Sequence, residues 1–262
     1  MTLSASFFYQ EAQASAWLQK QDEGELIFSF SYFNSDENFN QNGDKVDAPE
    51  FAKNELDILG EYGLTEWLTL GSEFSLQSIE NTAGAFNTDH LDLSYIRLFS
   101  RLPIYESDNF IFSFQPSIKI PNDKSQLLNP EGNEIIPEIK IAGGYSFRIF
   151  DLYSYIDTSA QYRYRDHISG AGAIKNQAKY ELSLGLKVEK DTLLLAQLFH
   201  DETFGNNSLN NDPGNYDLTK AQFSVAYDFW ESLFLQGGAF YHIDGVNTAG
   251  GEGLILSLWY KF

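Results

Sequence analysis

The chain has no cysteine among its 262 residues. Disulfide staples, thiol nucleophiles and cysteine-type zinc sites are therefore excluded. No stretch approaches the roughly eighteen consecutive apolar residues of a membrane-spanning helix. Basic residues are scarce. Against 37 Asp and Glu stand 17 Lys and Arg, giving a formal net charge of −20. With no basic stripe to neutralise phosphates, nucleic acid is excluded as a partner. The acidity is read first as loop solvation. Its functional alternative is divalent cations bridging the loops to anionic lipopolysaccharide.

Aromatic residues are plentiful, with 22 Phe and 15 Tyr. They favour strands over helices. A barrel conceals its membrane face in alternation with a polar interior, so low average hydropathy does not exclude a membrane protein. The last strand shows this pattern. Leu254, Leu256, Leu258, Tyr260 and Phe262 share one face; Gly253, Ile255, Ser257, Trp259 and Lys261 share the other. A stripe of about ten residues is the length a tilted strand needs to cross a bilayer.

Alternating segments recur along the chain, and about twelve are counted. Among them are residues 25–33, 55–64, 68–77, 89–102, 110–119, 138–148, 151–165 and 179–188. The fourth slips near Arg97, where a bulge is expected. The ninth, residues 192–200, is too apolar for a face to be assigned. Connections alternate in length. Short ones are expected at 65–67, 103–108, 148–150, 189–191 and 229–231, and long polar ones at 34–50, 78–88, 121–135, 166–175, 201–215 and 243–251. This pattern predicts an all-β fold: a transmembrane antiparallel up-and-down β-barrel of about twelve strands, with short periplasmic turns and long extracellular loops. Ala14-Ser15-Ala16 ahead of Trp17 reads as a signal-peptidase site. Residues 1–16 are thus read as the remnant of a signal peptide or a flexible leader, and residues 17–262 as one barrel.

Two stretches go beyond architecture. One is Trp17-Leu18-Gln19-Lys20-Gln21-Asp22-Glu23-Gly24-Glu25. The other is Glu61-Tyr62-Gly63-Leu64-Thr65-Glu66-Trp67-Leu68-Thr69-Leu70-Gly71. Together they resemble the outer-membrane family of meta-pathway phenol-degradation proteins, also described as aromatic-compound transporters. The terminal strand ending on Phe262 resembles that of Gram-negative outer-membrane barrels. The resemblance implies residence in that membrane among lipid and lipopolysaccharide, and recognition of the last strand by the barrel-assembly machinery. Gly63 is read as permitting a tight bend, and Trp67 as an anchor at headgroup level, with Trp230, Tyr260 and Phe262 as further interface anchors.

The inward faces carry both signs of charge. Solute-contacting candidates are Lys119, Lys140, Arg148, Arg163, Arg165, Lys179, Glu61, Glu73, Asp157 and Glu181. They are read either as cross-strand ion pairs that stiffen the barrel or as an eyelet for small solutes. Arg163, Arg165 and Lys179 favour an anionic one. The leading function is a channel for small polar, anionic or aromatic solutes. The alternative is a closed structural or adhesion-type barrel acting through its loops.

No enzyme is expected, and no cofactor or metal. His167 lies two residues before Ser169, and the pairs Asp89-His90 and His200-Asp201 resemble catalytic groups by residue type alone. The stretches 34–44 and 206–212 offer oxygen ligands but do not match the calcium-binding loop.

Overall fold

The computed structural model describes residues 16–82, 90–122, 134–165, 175–204, 216–230 and 232–262. Twelve strands form a closed antiparallel barrel in which each pairs with its neighbours in sequence and β1 pairs with β12. They are β1 (Gly24–Phe39), β2 (Lys45–Thr65), β3 (Leu68–Asn81), β4 (Asp92–Glu106), β5 (Phe110–Pro121) and β6 (Ile136–Ile149). The second half comprises β7 (Leu152–Arg163), β8 (Gln177–Glu189), β9 (Thr192–Thr203), β10 (Asp217–Trp230), β11 (Leu233–Val246) and β12 (Thr248–Lys261). Closure satisfies the backbone of every strand and leaves no edge, which an apolar solvent requires.

The alternation in the sequence becomes inside and outside. On β1, Phe28, Phe30 and Tyr32 lie on the exposed outer wall, while Ile27 is buried within. On β12, Leu254, Leu256 and Leu258 are exposed, and Trp259 is 1% exposed inside the barrel. Equivalent outward residues on the other strands make a continuous apolar exterior, far larger than any patch a soluble monomer tolerates. Strand β9 acquires a face: Leu195, Gln197, Phe199 and Asp201 point in, Leu194 and Leu198 out.

Three expectations are corrected. First, residues 34–50 are not a long loop. Strands β1 and β2 run on to Phe39 and Lys45, and a five-residue turn joins them. There the Asn40 side chain accepts the N–H groups of Asn42 (2.7 Å) and Asp44 (3.1 Å). Second, residues 243–251 are not a long loop either, because Asn247 alone separates β11 from β12. Both hairpins continue beyond the lipid, where neither face is apolar and alternation carries no signal. Lys45 bonds to Tyr241 (2.7 Å) and to Glu37 there, and these contacts raise its ammonium above the ordinary pKa. Third, the fourth-strand slip expected near Arg97 lies three residues earlier. The register with β3 shifts between Leu93 and Tyr95, which leaves Ser94 as the extra residue.

The short-turn end also carries the interface aromatics. Trp67 and Trp230 are 58% and 72% exposed, and Tyr260 stacks on Phe262 at 5.7 Å. Gly24 and Phe262 exchange backbone hydrogen bonds of 2.8 and 3.0 Å, so the terminal residue helps close the barrel seam.

Candidate functional site: a charged lumen with a segment seated at one end

The first described residues do not hang outside the barrel. They enter it from the short-turn end. Ala16 is fully buried, and its N–H donates to Asp157 Oδ2 at 3.0 Å. The Trp17 ring meets Tyr155 edge to face at 6.0 Å and covers Gly144, where a Cβ would collide with the indole. Gln19 donates its backbone N–H to Thr69 Oγ1 (2.9 Å) and its side chain to Glu61 (3.2 Å). Arg101 binds Glu61 through two nitrogens, at 2.6 and 3.0 Å, and donates to the Trp17 carbonyl at 2.7 Å. A bidentate guanidinium–carboxylate pair of this kind is rigid and directional.

The two stretches behind the family resemblance therefore touch each other. Asp22 donates to the Gly63 carbonyl at 2.9 Å, and Gly63 donates to the Glu23 carbonyl at 2.9 Å. Gly63 does not form a tight bend. It lies within β2, and a Cβ there would overlap the carbonyl groups of Gln19 and Lys20. Its missing side chain makes room for the entering segment.

Around Trp17 the interior is apolar. Ile27, Tyr155, Leu195, Ala226, Phe234 and Trp259 form one cluster, and Ala16, Ile111 and Ala142 a second. The short-turn end thus combines apolar packing around Trp17 with the buried Arg101–Glu61 pair. The barrel holds two cavities of about 310 and 650 Å³, and the smaller one reaches Trp17 and Gln19. Asp57, Arg97, Glu181 and Lys220 line both, so they stand where the cavities meet.

Most charges there are paired. Glu138 accepts from Arg163 at 2.6 Å, Arg97 at 2.8 Å and Ser117 at 3.2 Å. Arg97 also binds Glu73, which takes the Tyr95 hydroxyl as well. Further pairs are Lys53–Glu55 (2.8 Å), Lys179–Asp201 (3.3 Å) and Lys140–Glu181 (3.5 Å).

The sequence candidates separate into groups. Arg163, Lys179, Glu181 and Lys119 line the larger cavity; Glu61, Glu73, Lys140 and Glu181 line the smaller. Asp157 holds the N-terminal segment. Arg165 is buried at the far end of β7, donating to the Lys175 carbonyl at 2.7 Å, and lines neither cavity. Arg148 does not belong to the lumen. It is exposed at the short-turn mouth, stacked on Tyr153 at 4.1 Å. Parity alone put it inside, but it is the penultimate residue of its strand. Sequence reading passed over Arg97, Arg101, Tyr95, Lys53 and Lys220. Lys220 was within reach, because it shares parity with inward Gln222 and Ser224.

The catalytic look-alikes come apart. His200 faces outward and bonds Thr219 at 3.0 Å, while Asp201 points in to Lys179. His90 pairs with Asp92 at the exposed loop end. Asp89, His167 and Ser169 lie outside the described residues, as does 206–212. Among the described residues no cluster could hold a metal ion. In residues 34–44, Glu37 is committed to Lys45, and Asp44 closes the turn with Asn40.

No family model and no curated protein matches the chain. Solved structures do. An outer-membrane channel from Pseudomonas putida F1 superposes with a TM-score of 0.71 at 16% identity, covering 96% of this chain and 99% of that one. The NanC porin gives 0.56 at 10% identity, covering 90% and 100%. The CymD monoaromatic hydrocarbon channel gives 0.51 at 10% identity, covering 93% and 89%. At these identities the likeness is one of architecture, and the architecture this chain shares is the outer-membrane β-barrel.

Proposed function

We propose that this protein is an outer-membrane channel of a Gram-negative bacterium, passing small polar solutes, anionic and aromatic ones among them, through a narrow charged lumen. The observation that carries this reading is the pair of adjoining polar cavities inside a closed wall whose exterior is apolar. A purely structural barrel has no need of such space. The short turns and both termini face the periplasm in this reading, and the last strand is presented to the assembly machinery. No step of catalysis is assigned.

The second reading, a closed barrel acting through its loops, is favoured by one observation: the N-terminal segment fills the periplasmic end. The two readings meet if that segment leaves its seat to let solute pass. Single-channel recording of the refolded protein in a planar bilayer decides between them. Discrete conductance steps support the channel. A heat-modifiable, folded barrel with no conductance, even with the segment unseated, rules it out.

A further inference from the structure

Lys220 stands apart from the other lumen cations. Lys53 and Lys179 each have a carboxylate within 3.3 Å, Glu55 and Asp201 respectively. Among the described residues Lys220 has none at ion-pairing distance. Its ammonium lies instead over two aromatic faces, 4.5 Å from the Phe199 centroid and 5.0 Å from that of Phe240. The carboxylates that act on Lys220, Glu55 and Asp201, are each paired with another lysine, so Lys220 has no ion-pair partner of its own among the described residues.

The backbone is arranged to present it. Strand β11 has one extra residue, Ile243, at the step where Thr219 and Lys220 pair with Asp244 and His242. A bulge of this kind bends a strand and re-aims its side chains. Beside Lys220 the rings continue as a shelf. Phe33 stacks on Phe240 at 6.1 Å and on His242 at 4.4 Å, with interplanar angles of 11° and 25°. The His242 ring is held by a contact of 2.8 Å from Nδ1 to the Ala249 carbonyl. All four rings and the ammonium line the 650 Å³ cavity, a size ordinary for small-molecule sites.

We infer that this wall is a binding site for a small monocarboxylate with a flat apolar body. Lys220 takes the carboxylate, and the shelf of Phe33, Phe240 and His242 takes the body. An ammonium over ring faces has its charge eased by the quadrupoles, but among the described residues it has no carboxylate acceptor, and it lines the cavity. A carboxylate accepts them as charge-assisted hydrogen bonds. Inorganic anions suit the place poorly, because they would lose hydration against phenyl rings and gain no stacking. A neutral molecule of the same shape gains the stacking but leaves Lys220 unanswered.

This site rests on the channel reading for its biological use but not for its test. Binding is measured by calorimetry on the folded, detergent-solubilised barrel, which needs no open pore. The probes are benzoate, benzamide and inorganic sulfate. Benzoate is expected to bind at least tenfold more tightly than either of the others. Lys220→Gln is expected to lose at least tenfold, and Lys220→Arg to retain most of the affinity, with both variants still heat-modifiable. Equal binding of benzamide, equal binding of sulfate, no benzoate binding, or unchanged affinity in Lys220→Gln each overturns the site. Absence of conductance in a protein that binds benzoate through Lys220 would sink the channel and leave the site standing.

Discussion

Replacing Trp17 by alanine should loosen the segment seated at the short-turn end without harming the barrel. The indole is mostly but not fully buried, so it loses more than half of the 3–5 kcal/mol typical of a core Trp→Ala change, at least about 2 kcal/mol. The edge-to-face contact with Tyr155 adds about 0.5–1 kcal/mol. A loss of about 2–3 kcal/mol raises the unseated fraction by roughly 30- to 150-fold. The remaining anchors are hydrogen bonds, among them Ala16 to Asp157, Arg101 to the Trp17 carbonyl, and Gln19 to Thr69 and Glu61, and the packing of Ala16 and Leu18 against Ile111 and Ala142. These stay intact, so unseating remains reversible. The assay is single-channel recording at fixed salt, scored for open probability. Because the wall makes its own closed ladder, the heat-modifiable mobility of the variant should match that of the parent. An open probability equal to the parent's, in a correctly folded variant, would show that this segment does not limit passage.

Three other substitutions probe the same lumen. Gly63→Val places a side chain where the Gln19 and Lys20 carbonyls lie, so the barrel should form but the segment should not dock, and conductance should rise as for Trp17→Ala. Arg101→Ala leaves Glu61 buried without its guanidinium; losing one partner of such a pair costs about 3–5 kcal/mol, and the heat-modification midpoint should fall measurably. Glu138→Gln removes the negative charge shared by Arg97 and Arg163. The reversal potential in a salt gradient should then shift toward anions, and an unchanged potential would place this cluster off the ion path.

Much of the wall was legible in the chain because alternation is a local property. Successive side chains on a strand take opposite faces, so Phe28-Ser29-Phe30 and Leu256-Ser257-Leu258 announce lipid and lumen without any long-range information. The same rule failed where its cause was missing. Residues 34–50 and 243–251 are polar on both faces, and their strands were taken for loops. Arg148 had the right parity but sits too near the mouth to be enclosed. Glycine was misread in a similar way, because Gly63 answers to a neighbour remote in sequence rather than to its own turn.

By itself, then, the sequence determined the class of fold, the strand count, and which residues face lipid on the strands whose polarity alternates. Tertiary structure decided what the lumen does. Trp17 enters the barrel because closure creates a cavity for it. Arg101 meets Glu61 across forty positions because register and closure bring β2 and β4 to one interior. Among the described residues Lys220 has no carboxylate at ion-pairing distance, because its neighbours on β9 and β11 are rings. A lumen charge is matched or left open by side chains on other strands, and their identity at a given height follows from barrel register, which no single strand encodes.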